Sequence, residues 1–351
     1  IFKTKGDPVV AVLGSPNSTI DTSINLDDHT IELDDSLFFR AGDGSVSNPY
    51  QIADEAGIHA MMLYPSKHFK LVEDIEMDTY YGSSNRKTFT GVLDGNYHYI
   101  RGLNIEIPGG RKDTDEYYGL FGKFSGTIKN ITFKNSHIIQ NYINYSSVPE
   151  LPQSEGDSVP GVPALSTITG EGYIYAGIVA GYAYAQSTFT NVTVTDSSVK
   201  TYRVKSHLGG IVGHADGAEN RLGLPIGSLV IPFTECNVIN TSIAGSGIEG
   251  GVLGYGNHVA ITECQFKGTE VGGTQYYGLI SHYSLGESGY AGGIAGYLTN
   301  WELENCEMEY VNIEYINYHD ITSEVGYWAG NQTVFSETNI YDEATVNVEP
   351  F

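Results

Sequence analysis

The stretch Gly251-Val252-Leu253-Gly254, with Ile261-Thr262-Glu263-Cys264-Gln265-Phe266 a short distance behind it, decides the fold because both blocks recur along the chain. The first block consists of apolar residues between two glycines, and its other copies lie at 119–122, 177–181, 210–213, 293–296 and, in degraded form, 327–330. The other copies of the second block lie at 128–133, 189–194, 233–238, 303–308 and 335–340. Six paired copies in one order indicate a repeat protein in which each copy is one structural unit.

The spacing and composition of these copies predict a stack of β-strands. The closing glycines are 32 to 59 residues apart, which indicates that loops of different length separate equivalent units. Within the units, β-branched and aromatic residues alternate with Thr, Asn and Glu, which is typical of strands. One short unit cannot bury its apolar face alone, so consecutive units must stack and share a core. We therefore predict an all-β fold, a parallel β-helix, which is right-handed by the handedness rule for parallel crossovers.

The segment before the repeats predicts a cap for this stack. Residues 53–63 are the one convincing helical stretch, with Ala56, Ala60 and Leu63 on one apolar face. An amphipathic helix across the open end of a solenoid hides the first rung from water and from other strand edges. We therefore expect an N-terminal capping helix.

The chain divides near residue 38. Residues 1–38 match neither pattern, although 9–13 and 29–33 resemble short strands, and we interpret them as an N-terminal extension or the remnant of a preceding β domain. Residues 39–351 are assigned to the β-helix, with the cap and first rungs at 39–116, six repeats at 117–340 and a C-terminal tail at 341–351.

Charge and hydropathy exclude two classes of function. Lys+Arg 18 against Asp+Glu 42 gives a formal net charge of −24. Phosphate contacts need clustered cations, so this balance argues against nucleic-acid binding. Residues 172–195 carry no charge, but glycines and polar residues interrupt them and their apolar residues alternate as in strands. We expect no transmembrane segment in this chain.

The three cysteines occupy one position of the repeat. Cys236, Cys264 and Cys306 share that position with Ile131, Val192 and Thr338 in the other copies, which predicts a column of small apolar side chains inside the stack. A metal site would need further ligands around them, and the neighbouring residues are Asn, Gln and Glu without a set of histidines. We therefore predict buried free thiols.

The repeat resembles a known family. Gly119-Leu120-Phe121-Gly122 and the Ile-x-Asn-Ile type block behind it are similar to the GLUG repeat, and 89–103 and Asn48-Pro49-Tyr50 are similar to segments that precede such repeats in bacterial surface proteins. The second copy has one extra residue before its closing glycine, and the sixth lacks the opening one. The resemblance covers roughly residues 40–340. It implies a secreted or surface-anchored, adhesin-like bacterial protein, and it brings no catalytic residues.

A pair of carboxylates is the candidate cation site. Glu235 and Glu263 stand just before the cysteine column in neighbouring copies, where other copies have Asn. Neighbouring rungs lie ~4.8 Å apart, so the two side chains would repel each other unless a cation or a rotamer change intervened. A calcium site would need about six oxygen ligands. Two interpretations stay open: a structural Ca²⁺ site, or solvated carboxylates on an outer ridge, which we favour. No other cofactor is expected.

A column of aromatic residues is the candidate ligand site. Three positions after the large apolar residue of the first block, the copies place Lys123, Tyr182, His214, Tyr255, Tyr297 and Asn331. Strand alternation predicts that this column faces outward. Its members Tyr182, His214, Tyr255 and Tyr297 could stack on sugar rings. They could equally pack beneath the insertions at 140–172, 217–232 and 272–289, and we favour packing because tyrosine rings are usually half-buried.

These observations favour a binding or structural protein over an enzyme. Parallel β-helices also carry polysaccharide lyases and hydrolases, and a hydrolase needs two carboxylates ~5 to 9.5 Å apart. Glu235 with Glu263 is the one outward pair that the register predicts, and the sequence has no HExxH, Walker loop or Ser-His-Asp spacing. The leading hypothesis is a monomeric extracellular or cell-surface protein that contacts glycans or surface proteins. The alternative is a polysaccharide-acting lyase or glycoside hydrolase.

Overall fold

Three parallel sheets run along the molecule and share one core. The computed structural model describes residues 2–4, 31–33, 35–78, 87–109, 113–140, 171–201, 203, 205–217, 230–271, 274–276, 278–284, 289–317, 324–326, 328–330, 340–342 and 345–350. Each turn of the chain contributes strands to a long sheet, then to a seven-stranded sheet, then to a six-stranded sheet, before it returns to the long sheet one rung further on. This is the right-handed parallel β-helix that the repeats predict, with the hand that parallel crossovers adopt.

The strands of each sheet have the following bounds. In the described residues, the long sheet contains Tyr50–Ile52, His68–Leu71, Ile75–Glu76, Val92–Asp94, Tyr99–Arg101, Phe121–Phe124, Thr127–Lys134, Ala180–Tyr184, Thr188–Thr195, Val212–Asp216, Ile231–Thr234, Asn237–Ile239, Leu253–Thr262, Gln265–Lys267, Ala295–Glu304, Glu307–Glu309 and Ile340–Asp342. The seven-stranded sheet contains Asn104–Ile107, His137–Gln140, Ser198–Lys200, Ser242–Gly245, Gly278–Ser284, Val311–Asn317 and Thr345–Pro350. The six-stranded sheet contains Glu116–Tyr118, Ile174–Gly177, Ser206–Gly209, Ile248–Gly250, Tyr290–Gly292 and Glu324–Gly326. Two short antiparallel pairs, Phe2–Thr4 with Ile31–Leu33 and Thr269–Val271 with Thr274–Tyr276, lie outside these sheets.

The strand register confirms the repeat alignment in all but one place. The residue before each closing glycine pairs with its equivalent on the next rung, from Phe121 through Ala180, Val212 and Leu253 to Ala295. The sixth copy departs in its second block, because Met308 pairs with Tyr341 and not with Ile340 as the alignment predicts. A slip of one residue exchanges the two faces of a strand, so the predicted alignment of that copy is wrong by one position.

Apolar side chains of all three sheets fill the core. The residues between the opening and closing glycines are buried in every copy, and their backbone groups hydrogen-bond from rung to rung. Phe189 and Phe233 occupy one inward column and stack with ring centroids 4.6 Å apart and planes 4° apart. Because each rung buries its apolar face only against its neighbours, the stability of one rung depends on the next.

The cysteine column lies in this core, as predicted. Cys236, Cys264 and Cys306 are buried free thiols in one file. The Cys264 thiol donates to the Phe233 carbonyl oxygen of the preceding rung at 3.4 Å, and the other two thiols make equivalent contacts. Burial raises the pKa of the Cys264 thiol well above its usual range. These thiols therefore act as core side chains and are poor nucleophiles.

The N-terminal cap is present, but its buried face differs from the predicted one. The helix spans Glu55–Met61, and Asp54 caps it by accepting a hydrogen bond from the Gly57 backbone N–H at 3.0 Å. The helix buries Gly57, Ile58, Ala60 and Met61 against the first rungs. Ala56 and Leu63, which we expected on the buried face, are exposed.

Short elements near both ends of the chain belong to the described structure. A 3₁₀ turn at Asp35–Leu37 lies within the predicted extension, yet the Asp35 carboxylate accepts hydrogen bonds from the hydroxyls of Tyr50 and Tyr64 and so belongs to the cap. The predicted strand-like run at 29–33 contributes Ile31–Leu33, and the one at 9–13 lies outside the described residues. At the other end, the predicted tail provides Thr345–Pro350, the last strand of the seven-stranded sheet.

The buried column predicts inert thiols. In native buffer, a disulfide reagent that reacts with exposed cysteines should modify less than about one thiol in ten, because each Sγ is buried and the reagent cannot reach it. After unfolding in denaturant, all three thiols should react, which provides the internal control. Rapid labelling of any one thiol in the native protein would contradict the stacked column.

Candidate functional site

The closing glycines bring the six-stranded sheet against the long sheet. A Cβ atom at Gly213 would lie 2.4 Å from the Ala176 backbone nitrogen and 2.7 Å from the His207 carbonyl oxygen. Gly254 meets the backbone nitrogen of Leu208 in the same way, at 2.7 Å. Atoms cannot approach so closely, so this position must be glycine. The first block of the repeat is therefore a place where two sheets meet backbone to backbone.

Two columns of aromatic side chains pack against each other where these sheets meet. On the long sheet, Tyr182, His214, Tyr255 and Tyr297 pair in succession. On the six-stranded sheet, the second column consists of Tyr117, Tyr175, His207 and, after Ile248, Tyr290. We call these eight aromatic residues the aromatic corner. The sequence analysis found only the long-sheet column; the other column could have been found, since its members stand two residues before a glycine in each copy.

The rings stack on one another along the helix axis. Tyr182 lies 4.4 Å from His214, His214 lies 4.5 Å from Tyr255, and Tyr255 lies 5.5 Å from Tyr297, with planes 12°, 21° and 3° apart. Stacked rings cover each other's faces, whereas a sugar ring needs a free aromatic face. The column therefore presents mainly ring edges and hydroxyl groups. This arrangement disfavours the interpretation that these residues stack on sugar rings.

Exposure divides the long-sheet column into two halves. Tyr182 and His214 are only 8% and 9% exposed, because Tyr175, His207 and Tyr184 pack around them. Tyr255 and Tyr297 are half-buried, and Tyr290 packs edge-on against Tyr297 at 4.6 Å. Tyr182 and His214 are therefore packed, as the favoured interpretation has it, but the residues that cover them are Tyr175 and His207 of the six-stranded sheet and Tyr184 of the long sheet. Asn331 and most of the insertions that we expected to supply this cover lie outside the described residues.

The outer edge of the corner carries hydroxyl groups. Within the described residues, the Tyr255 and Tyr297 hydroxyls make no hydrogen bond, and both rings are held by their stacking partners. At the N-terminal end of the corner, the Lys123 ammonium lies 4.3 Å from the centroid of the Tyr117 ring. Rigid rings with free hydroxyls are suited to hydrogen-bond a ligand at little entropic cost.

Two histidines lie at the centre of the corner and contact each other directly. His207 Nδ1 and His214 Nδ1 are 2.7 Å apart, so one nitrogen donates and the other accepts. The ring centroids are 4.9 Å apart with planes 7° apart, which places the two rings edge to edge in nearly one plane. Burial lowers the pKa of His207 to about 3, and burial together with His207 lowers the pKa of His214 well below its usual value.

The candidate carboxylates Glu235 and Glu263 lie on an exposed ridge and are not part of the aromatic corner. Both are exposed, and both have left-handed backbone conformations, with φ of 53° and 55°. Asn130, Asn191 and Asn305 occupy the same column with φ between 52° and 53°. The column is thus the bend at which each rung turns, and Asn adopts this conformation more readily than Glu. In the described part of the chain, no three His, Cys, Asp or Glu side chains converge to hold a metal ion.

One buried polar pair escaped the sequence analysis. His282 Nδ1 lies 2.5 Å from Glu249 Oε2, both side chains are fully buried, and Glu249 Oε1 accepts a hydrogen bond from the Gly247 backbone N–H at 2.7 Å. The two residues come from different sheets and lie far apart in sequence. Because no solvent reaches this pair, it contributes to the core and does not form an open site.

Comparisons with known proteins give limited similarity. No family model matches the chain. A protein named "Putative Gly-rich membrane protein" from Evansella cellulosilytica is 28% identical over 159 residues, which is 41% of this chain but only 16% of that protein. The crystal structure of a "putative immunoglobulin A1 protease" from Bacteroides ovatus has a TM-score of 0.46 and 17% identity, over 89% of this chain and 80% of that one. In the described residues, no helix is long and apolar enough to span a membrane.

The close approach at the closing glycine predicts that one added methyl group strongly destabilises the fold. Gly213→Ala should lower the free energy of unfolding by at least about 2 kcal/mol, because a Cβ would overlap rigid backbone atoms of the facing strand. Urea denaturation measures this cost. Thr190→Ala, on the same sheet but half-exposed, is the control and should change stability by only about 0.5 kcal/mol. Equal effects of the two substitutions would contradict the backbone-to-backbone corner.

The bend column predicts that an asparagine stabilises the fold where a glutamate now stands. Glu263→Asn should raise the free energy of unfolding by about 0.5 to 1 kcal/mol, because Asn tolerates the left-handed conformation better. Glu304→Asn, an exposed strand position in the next rung, should give no such gain. A Ca²⁺-dependent rise in melting temperature that Glu263→Asn abolishes would instead support the cation site.

Proposed function

We propose that this chain is a GLUG-type β-helical binding protein, secreted or displayed on the bacterial surface, that contacts a glycan or a surface protein through the aromatic corner. The observation that carries the proposal is the half-buried pair Tyr255 and Tyr297, whose hydroxyls have no hydrogen-bond partner within the described residues. The relative whose name includes "membrane protein" is compatible with a surface location. The glycine-framed repeat supports the family resemblance.

The geometry favours hydrogen bonding over ring stacking as the mode of contact. The column uses its ring faces for internal stacking, so the ligand meets the Tyr255 and Tyr297 hydroxyl groups of two successive rungs, ~4.8 Å apart. Tyr255 is stacked on both sides, and Tyr297 is held by Tyr255 on one face and by Tyr290 edge-on. Neither ring rotates freely, so little rotamer entropy is lost on binding. Each hydroxyl contributes little alone, and repetition along an extended ligand adds the contributions. An extended glycan or peptide, lying along the axis, fits this arrangement.

The enzymatic alternative has no specific observation in its favour. A hydrolase needs two carboxylates that face a bound substrate, and Glu235 and Glu263 lie on an exposed ridge at the bends of two rungs. The close pair of Glu249 with His282 is fully buried and cannot meet a substrate. A binding role therefore agrees best with the described geometry.

Removal of two hydroxyls tests the proposal. On an array of neutral and acidic glycans, the double variant Tyr255→Phe with Tyr297→Phe should lose at least about fivefold in binding, because two hydrogen bonds of about 0.5 to 1.5 kcal/mol each are removed. The stacking rings remain, so the melting temperature should stay close to that of the unmodified protein.

The matched control is Tyr182→Phe, in the same column but buried. It should leave array binding within about twofold, since its hydroxyl does not reach the surface where the ligand lies. Unchanged binding by the double variant would refute the hydroxyl row. The absence of any array signal from the unmodified protein would refute the glycan as ligand and leave a protein partner to be tested by the same variants.

A further inference from the structure

The contact between His207 and His214 is an unusual element in a binding surface. The two imidazoles form one nearly planar unit, with Nδ1 atoms 2.7 Å apart, and both rings are at least nine-tenths buried. Tyr182 of the preceding rung stacks on one face of His214, and Tyr255 of the following rung stacks on both imidazoles. The pair therefore lies between the buried half of the column and the half-exposed half.

The hydrogen bond between the rings exists only while at least one of the two Nδ1 atoms is unprotonated. A proton on each Nδ1 would place two N–H donors 2.7 Å apart, which is repulsive. The first added proton already creates a buried positive charge. His214 Nε2 is also buried without a hydrogen-bond partner in the described residues. A proton added to this nitrogen would therefore have no described acceptor.

Among the described residues, the side chains that face the pair are tyrosine rings. His207 is faced by Tyr173, Tyr175 and Tyr255, and His214 by Tyr175, Tyr182 and Tyr255. Burial raises the pKa of Tyr175 further above its usual value, so this phenol stays neutral in acid. Two charged groups lie beside these tyrosines. Asp115 Oδ1 accepts a hydrogen bond from the Tyr173 backbone N–H at 2.9 Å, and the Lys205 ammonium lies 6.0 Å from the Tyr173 ring and is paired with Glu171 at 3.1 Å. No described carboxylate contacts either imidazole.

We propose that the His207–His214 pair is an acid-sensitive switch that holds the aromatic corner closed at neutral pH and opens it in mild acid. In the open form the imidazoles separate and take up protons, Tyr255 loses its stacking support, and the hydroxyl row of Tyr255 and Tyr297 loses its fixed spacing. Ligand release on acidification is the functional consequence, and this part rests on the proposed binding function. The opening itself does not.

The direction of the effect follows from proton linkage. The pKa of each imidazole is lowered in the closed form and returns toward 6.5 in the open form. The open form therefore binds more protons, so the closed form is fully stable above pH 6.5 and loses stability as the pH falls from 6.5 toward about 3. Each pH unit in this window favours the open form by up to about tenfold for each imidazole.

Selective labelling of tyrosine rings measures opening without any ligand. With ¹³C-labelled tyrosine, and signals assigned from Tyr182→Phe and Tyr255→Phe, the ring signals of Tyr182 and Tyr255 should shift together between pH 6.5 and pH 4 and return on neutralisation. In the double variant His207→Phe with His214→Phe, which keeps two flat rings but cannot titrate, these signals should stay constant over the same range. His137→Gln serves as the control, because His137 is half-buried on the seven-stranded sheet and outside the corner; it should leave the acid transition unchanged.

Three results would overturn the switch. One is an acid transition of Tyr182 and Tyr255 that persists in the Phe/Phe variant. A second is constant ring signals in the unmodified protein down to pH 4. The third applies if the Phe/Phe variant does not fold: imidazole ¹⁵N spectra of the unmodified protein would then show both histidines protonated at pH 4 while the tyrosine signals are unmoved. Glycan binding does not enter these measurements, so the switch can be tested even if the proposed function fails. Loss of array binding at pH 4.5 tests whether the switch releases the ligand.

Discussion

Parallel hydrogen bonding between consecutive turns is the constraint on which the whole molecule depends. It holds equivalent residues of neighbouring rungs at one separation, so any residue type repeated at one position becomes a column. A slip of one residue would exchange inward and outward faces, and the paired copies from Phe121 to Ala295 keep their register through insertions of different length. The loops can vary because the rungs, not the loops, determine where each side chain points.

The bends show how this constraint shapes the sequence. Each rung turns through a residue in the left-handed conformation, and in the N-terminal rungs this residue is asparagine. Asn191 donates from Nδ2 to the Asn130 side-chain oxygen at 3.2 Å, and Asn130 donates to Asp94 at 3.3 Å. Asparagine thus satisfies both the backbone and the neighbouring rung. Where glutamate replaces it, at Glu235 and Glu263, the side chain extends into solvent. The alternation of Asn and Glu therefore agrees with the demands of the scaffold, in which carboxylates at the bends of adjacent rungs are necessarily close.

The sequence predicted those features that depend on the repeat and failed on those that depend on contacts between sheets. The parallel stack, the cysteine column and the pairing of Tyr182 with His214 follow from equivalent positions, which can be read directly from the sequence. The buried face of the helix Glu55–Met61 was misjudged, because the rotation of a short helix is set by what it packs against and not by its own periodicity. The contacts between His207 and His214 and between Glu249 and His282 join different sheets, so no spacing along the chain reveals them.

The aromatic corner illustrates what a stacked scaffold can offer a ligand. Rings placed one per rung satisfy each other face to face, which stabilises the column but removes the faces from the surface. What remains for recognition is a line of edges and hydroxyls at the spacing of the rungs. Such a line discriminates by the positions of hydrogen-bonding groups along an extended ligand, because a ligand that cannot match the spacing leaves polar groups unpaired. The same rigidity underlies the proposed switch. In a column where each ring supports the next, separation of one pair of rings removes support from the exposed members, so a change of charge at the centre would reach the proposed binding edge.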